Sequence, residues 1–417
     1  MKDSELFKLK DKYQREALNW WIGSGAKHCI EVATGVGKTR CAVLATEWMF
    51  KTFKAPKILI ITPTEIIRDD VFPDEFTKWG LKKLLKHIEI QCIQTAYKRT
   101  GEHFDLVVCD EAHNYTSDQY SLFFNNKIDK ILAMTAEASN SEERFAVVNA
   151  IFPICYKLDT DKAVELGLIS PYIEYNVAVS LSVSEQFRYK EIQDAYDKYE
   201  ALLGGNLQAY SNAQTFIKCL GHNEGLREQL NIGSAREAQI TAKNYWKAMQ
   251  DRKKFLYECP SKVKAVQELI DTLKLNNTII FSQSVKVADM IAKDRPDILP
   301  YHTKLSKSTE RDFNMKAFLD GRTKVKHLST CRCTEEGMDL PKLPAIIIAS
   351  RNSSSKSHIQ KRGRCLRYEE NRVSAVYNLY IPDTQDWKWL MAAQVKTQKK
   401  NIVWTSLQKL KEESQSR

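Results

Sequence analysis

The stretch HCIEVATGVGKTRCAVLATEWMFK, residues 28–51, carries three kinds of local structure in one line. It opens on an apolar run of strand length. The glycine-bearing ATGVG breaks that run, and KTRCAVLATEWMFK then repeats apolar residues at helical spacing. A strand that turns through glycines straight into a helix makes a phosphate cradle, because backbone N–H groups and the positive end of the helix dipole converge on one anion. Gly35 and Gly37 permit the turn. The backbone of Ala33, Thr34, Gly35, Val36 and Gly37 would wrap the phosphates, Lys38 would reach the β- and γ-phosphates as a point charge, and the Thr39 hydroxyl would hold Mg²⁺. The strict pattern wants glycine at position 32, where this chain has Val32, so the match is partial.

Working outward, LVVCDEAHNY at 106–115 sets Asp110, Glu111 and His113 behind another apolar run. Taken alone it suits a metal site, a hydrolytic acid pair or an acidic turn. Downstream of GKT, an Asp-Glu pair at a strand end falls where a Mg²⁺-binding carboxylate belongs: Asp110 would hold the metal through water, and Glu111 would orient and deprotonate the attacking water. A zinc-protease helix needs H-E-x-x-H, and no second histidine follows.

Around these two motifs, apolar runs alternate with helical patterns: HCIEVA, KILIITP, IEIQCIQ, FDLVVCDE and KILAMTA, then, after about residue 260, NTIIFSQ, VKHLST, AIIIAS and AVYNLYIP. This grammar predicts an α/β chain of two doubly wound parallel sheets. We divide it as a first unit over 1–160, a connector over 161–184, a helical insertion over 185–260, a second unit over 261–385 and amphipathic C-terminal helices over 386–417. In the insertion, Ile192, Tyr196, Tyr199 and Leu203 recur at helical spacing, and GGN, GHNEG and NIGS read as turns. Its Tyr210, Phe216, Tyr245, Trp246 and Arg252 are candidates for strand or branch recognition, with core packing the commoner fate of such aromatics.

The 417 residues are 43% hydrophobic and 28% charged, and the mean hydropathy of −0.44 suits a globular chain. No secretory h-region and no run near ~20 apolar residues is present, which predicts a cytoplasmic protein without membrane contact, in the host cytoplasm if the chain is phage-encoded. Ten scattered cysteines fit reduced thiols better than disulfides or a zinc ribbon. The net charge of +11 favours a polyanionic partner through counterion release.

The ordered motifs, from about residue 9 to 370, resemble those of superfamily 2 helicases and translocases. LKDKYQREALNWW resembles the segment before the first strand, VATGVGKT motif I, ITPT at 61–64 motif Ia, and DEAH motif II. MTA at 134–136 stands at motif III but departs from the family's TAT or SAT pattern after Ala136. IIFSQS at 279–284 resembles motif IV, TCRCTEEGMDLP at 330–341 motif V, and QKRGRCLR at 360–367 motif VI.

The resemblance implies two tandem RecA-like domains and a set of roles. Gln14 would read the adenine edge, Gly337 and Asp339 would lie near ribose and phosphates, and Gln360 would help position water. Arg364 and Arg367, three apart, would be the arginine fingers that stabilise charge on the transferring phosphate. Thr62, Thr64, Thr95, Ser282 and Thr330 would meet nucleic-acid phosphates, a role that reads no base. ATP and Mg²⁺ follow as cofactors.

The Q-x-x-G-R-x-L-R ending, with the 163–179 phrase AVELGLISPYIEYNVAV, is similar to the group of XPB-like and phage UvsW-like DNA helicases and restriction-enzyme motors. This implies a DNA-dependent ATPase that moves on DNA and unwinds or branch-migrates forked or branched DNA in replication, recombination or repair, with single-stranded and forked or branched DNA as its partners; a monomer is expected. An RNA helicase or remodeler, a restriction-type motor subunit and a non-unwinding clamp or loader remain as alternatives.

Overall fold

The computed structural model describes residues 3–136, 149–206, 208–320, 324–331, 343–363, 368–369, 372–395 and 397–415. After the helix Asp3–Gly23, the first unit runs through β1 (Lys27–Val32), the helix Lys38–Thr52, β2 (Ile58–Thr62), β3 (Ile88–Cys92), β4 (His103–Phe104), β5 (Leu106–Asp110), β6 (Lys127–Ile128), β7 (Ile131–Thr135) and β8 (Ile154–Leu158). Six of these strands form a parallel sheet in the order β3-β2-β5-β7-β1-β8, and β4 pairs with β6. β2 reads ILIIT and is buried throughout, the mark of a parallel strand covered on both faces. Its side chains divide by the two-residue period: Ile58 and Ile60 enter one core, Leu59 and Ile61 the other.

The order places the site. β1 and β2 are separated by β7 and β5, so the chain crosses the sheet after the glycine loop, and the carboxyl ends of β5, β7 and β1 become neighbours. Open α/β sheets bind ligands at such crossings.

The second sheet is built from β9 (Tyr172–Ala178), β10 (Thr278–Ser282), β11 (Ile298–His302), β12 (His327–Cys331), β13 (Ala345–Ile348), β14 (Ser374–Tyr380) and β15 (Ile402–Ser406), all parallel, in the order β11-β12-β10-β13-β14-β9-β15. Two expectations change here. The connector is not a bare link, because its IEYNVA segment is strand β9, inserted between β14 and β15. The tail is not helical throughout: β15 pairs with β9 before the last helix, Leu407–Gln415. Both strands escaped notice because NVAVS and NIVWTS lack the long apolar run that flagged the others.

Between β9 and β10 of this second sheet the chain forms the helices Val183–Leu202, Ala209–Lys218, Glu224–Gln229 and Ala235–Glu258. The first and last pack together through Tyr196 and Tyr245, whose rings lie 5.5 Å apart, and the Arg252 guanidinium stacks 3.4 Å from the Tyr196 ring centre. Phe216 and Tyr245 are core residues, whereas Tyr210 is 53% exposed. The insertion stands on the second unit through Glu185, which bonds Ser261, and Glu258, which accepts from Ser284 Oγ at 3.0 Å. Among the described residues, no helix is long and apolar enough to cross a membrane.

Candidate active site

The glycine loop leaves β1 with Gly35 at φ 92° and Gly37 at φ 102°, a conformation that side chains rarely adopt, and delivers the chain into the helix starting at Lys38. The helix Asp3–Gly23 braces the loop from behind. Lys10 Nζ donates to the Gly35 carbonyl at 2.6 Å, and Gln14 Nε2 donates to the carbonyls of Val36 and Gly37 at 2.8 and 3.3 Å. Gln14 was expected to read adenine; here its buried amide nitrogen is spent on the loop. Lys10 was missed, although it sits four residues before Gln14, a spacing that puts both on one helix face. The φ of Gly37 is what demands glycine, and a Cβ there, 2.6 Å from Gln14 Nε2, would also push the Gln14 brace aside.

The acidic pair faces this loop. Asp110 ends β5 with 7% exposure, in register with Met134 of β7. Glu111 takes the left-handed conformation at φ 50°, which costs a non-glycine residue energy and turns its carboxylate back toward the loop. Lys38 Nζ lies 3.7 Å from Glu111 Oε1, and His113 Nδ1 lies 3.5 Å from Glu111 Oε2. His113 Nδ1 also meets Thr135 Oγ1 at 2.8 Å, joining the acidic strand end to the MTA segment. That contact gives MTA a link to the acidic motif although its sequence departs from the family pattern. Behind them, the buried Tyr115 hydroxyl donates to the carbonyls of Asp110 and Ile61, at 2.5 and 3.2 Å, and ties the ends of β5 and β2. Nothing in the local sequence flagged Tyr115, because its partners lie on two strands.

The donor set fits a Mg²⁺–nucleotide. A left-handed glycine turn at a helix N-terminus, one lysine, one threonine hydroxyl on the first helical turn and a nearly buried aspartate supply phosphate and metal ligands together. Lys38, Thr39, Asp110 and Glu111 are thus brought to one sheet edge. The second unit arrives there through the helix Ser355–Gly363. A Cβ on Gly363 would lie 2.6 Å from Thr34 Cγ2 and 2.7 Å from Thr34 Cβ, so this helix end touches the glycine loop. Arg364, Arg367, Gly337 and Asp339 lie outside the described residues, as does the side chain of Gln360.

The five nucleic-acid candidates divide. Thr95 is exposed on the short helix Ile93–Ala96 that follows β3, and the hydroxyl of half-buried Thr64 is itself buried and makes no hydrogen bond. Three others are corrected as side-chain contacts. Thr62, Ser282 and Thr330 are buried at strand ends; Thr62 donates to the Thr64 carbonyl at 3.1 Å, and Ser282 to the carbonyls of Ser284 and Thr330 at 3.0 and 3.1 Å. The Thr62 and Ser282 hydroxyls, each on the last residue of its strand, bond carbonyls of the loop that follows, and Ser282 also bonds the carbonyl of Thr330 on the neighbouring strand β12.

Residues 8–139 match the family described as Type III restriction enzyme, res subunit, and residues 261–369 match the helicase conserved C-terminal domain. Over 400 residues the chain is 22% identical to the DNA 3′-5′ translocase XPB2 of Sulfurisphaera tokodaii, covering 91% of this chain and 84% of that protein. Its fold is similar to the Hef helicase domain of Pyrococcus furiosus, with TM-score 0.54, 16% identity and coverage of 91% of this chain and 97% of that one. It is also similar to S. cerevisiae Dbp5 bound to RNA and ADP BeF3, with TM-score 0.58, 13% identity and coverage of 97% and 91%. With two parallel-sheet units closing on one glycine loop, the chain belongs to the superfamily 2 helicases and translocases of the XPB and restriction-enzyme type.

Proposed function

We propose that the chain is a DNA-dependent ATPase that converts hydrolysis into movement along DNA, and into unwinding or branch migration of forked or branched DNA. The observation that carries the motor part is the approach of Gly363 to Thr34. It sets the end of the helix Ser355–Gly363 of one unit against the glycine loop of the other, which supports a site completed by closing the cleft, with Arg364 and Arg367 next in the sequence.

ATP with Mg²⁺, when bound, supplies the γ-phosphoryl group and the charge that develops on it. Lys38 and the loop backbone hold the phosphates, while Thr39 and Asp110 provide the metal's protein ligands. Glu111, restrained between Lys38 and His113, orients the attacking water and takes its proton. Arg364 and Arg367, directly after Gly363, bring positive charge from the second unit.

For the polymer, the support is the likeness to a DNA 3′-5′ translocase, the Leu366-Arg367 ending and the net charge of +11. Thr64 and Thr95 remain the backbone-phosphate candidates of the first unit, and the insertion, with exposed Tyr210, is the candidate for strand separation. The chain acts as a monomer in this reading. The deciding experiment measures ATP turnover with single-stranded DNA, forked DNA and RNA of equal length, alongside strand displacement on the fork. Stimulation by DNA with displacement is expected; stimulation by RNA alone moves the chain to the RNA helicases, and turnover without displacement makes it a translocase or clamp.

A further inference from the structure

We infer that Glu174, on the connector strand β9, is a positioning residue that sets the rotation and height of the arginine-bearing helix and thereby governs turnover without touching nucleotide; the inference rests on the ATP-driven motor reading above. Glu174 has 0% exposure. Its carboxylate accepts from His358 Nε2 at 2.8 Å, Arg362 Nη1 at 3.0 Å, Asn378 Nδ2 at 3.1 Å, Thr397 Oγ1 at 3.2 Å and Gln394 Nε2. Arg362 Nη1 also donates to Thr397 Oγ1 at 3.0 Å, and its guanidinium lies 4.7 Å from the Tyr172 ring centre.

The placement is unusual in cost and in geometry. Taking a carboxylate and a guanidinium out of water costs several kcal/mol each, and a pair of apolar residues of the same volume often serves stability as well. What such a buried hydrogen-bonded ionic network adds is one defined arrangement. His358 and Arg362 are four residues apart, hence on one face of the helix Ser355–Gly363, and both are buried. Holding two points on one face removes freedom to roll or slide. The next residue after Arg362 is Gly363, seated against Thr34 of the phosphate loop, and Arg364 follows. A connector carboxylate therefore fixes, one residue away, how the second unit meets the nucleotide loop. The other side of the network, Gln394 and Thr397, lies in the tail, so the connector, the arginine helix and the C-terminus are registered to one buried charge. Asn378 of β14 and Asn176 of β9 complete it at 3.1 Å.

The test uses the full chain and two variants. Arg362→Lys keeps the charge and removes the planar guanidinium whose Nη1 binds both Glu174 and Thr397. Glu174→Gln with Arg362→Met removes both charges, so no unpaired ion is buried. Nucleotide affinity, KM for ATP, DNA-stimulated kcat per folded molecule and the melting temperature are measured together. The expected result is kcat at least tenfold lower in both variants, with ATP affinity and KM within about twofold of the parent, since a shift near 1 Å at a reacting centre costs roughly 10²-fold. If both folded variants turn over within twofold of the parent, or if they differ only in melting temperature, the network is structural and the inference falls. A parent without ATP turnover overturns the functional reading, and the inference with it.

Discussion

Gly363→Ala isolates the contact between the two units. The added Cβ would stand 2.6 Å from Thr34 Cγ2 and 2.7 Å from Thr34 Cβ, against the 3.5 to 4.0 Å, roughly, of ordinary carbon contact. The helix end must withdraw by about 1 Å. Misplacement on that scale costs roughly 10²-fold in rate, or about 2.7 kcal/mol of barrier. Alanine favours a helix over glycine by up to about 1 kcal/mol, so stability should hold or rise while turnover falls. Steady-state ATP hydrolysis with saturating DNA, measured beside nucleotide affinity and melting temperature, separates these effects. Thr34→Gly in the same chain removes both clashing carbons and should restore part of the lost kcat. Wild-type turnover in the single variant would refute the reasoning, because it would show that the approach of Gly363 to the loop is not part of the catalytic arrangement.

Further outcomes follow from the same geometry. Glu111→Gln should retain ATP and DNA binding and lose nearly all hydrolysis; full turnover would remove Glu111 from its assigned role. Lys38→Ala should weaken nucleotide binding and abolish turnover, read by direct titration of a nucleotide analogue. DNA affinity should fall linearly in log–log coordinates as salt rises, as expected where phosphate contacts dominate, and a flat response would contradict the +11 surface as a DNA-binding one. Burial pushes His327 down to about 4, against the Asp297 charge that acts the other way. The unfolded chain therefore binds the extra proton first, so this stabilisation is whole above about pH 6.5 and is lost as pH falls toward 4, on the order of 3 kcal/mol. His327→Gln should flatten that part of the stability curve; an unchanged slope would show that His327 does not produce it.

Most of the first site was legible in the letters because its parts are local. Strand, glycine turn and helix occupy consecutive residues at 28–51, and Asp110 and Glu111 end a run whose burial is written in LVVC. The strands with long apolar runs were legible for the same reason. β9 and β15 were not, since a strand with polar Glu174 and Asn176 is stable only when its neighbours bury and satisfy those groups. The phosphate threonines failed differently. A threonine or serine at a motif's strand end looks the same whether it faces solvent or core, and Thr62 and Ser282 turned inward to bond carbonyls of the next loop.

The glycine loop, the acidic pair and the two α/β units can be read from the letters alone, because each is a property of short stretches with a local physical signature. What joins them is visible in the folded chain alone. The brace of Lys10 and Gln14 on the loop, the tie of His113 to Thr135, the seat of Gly363 on Thr34 and the anchoring of His358 and Arg362 on Glu174 all pair residues far apart in the chain. Such contacts depend on which strand ends become neighbours in the folded sheets, and no window of sequence contains that order.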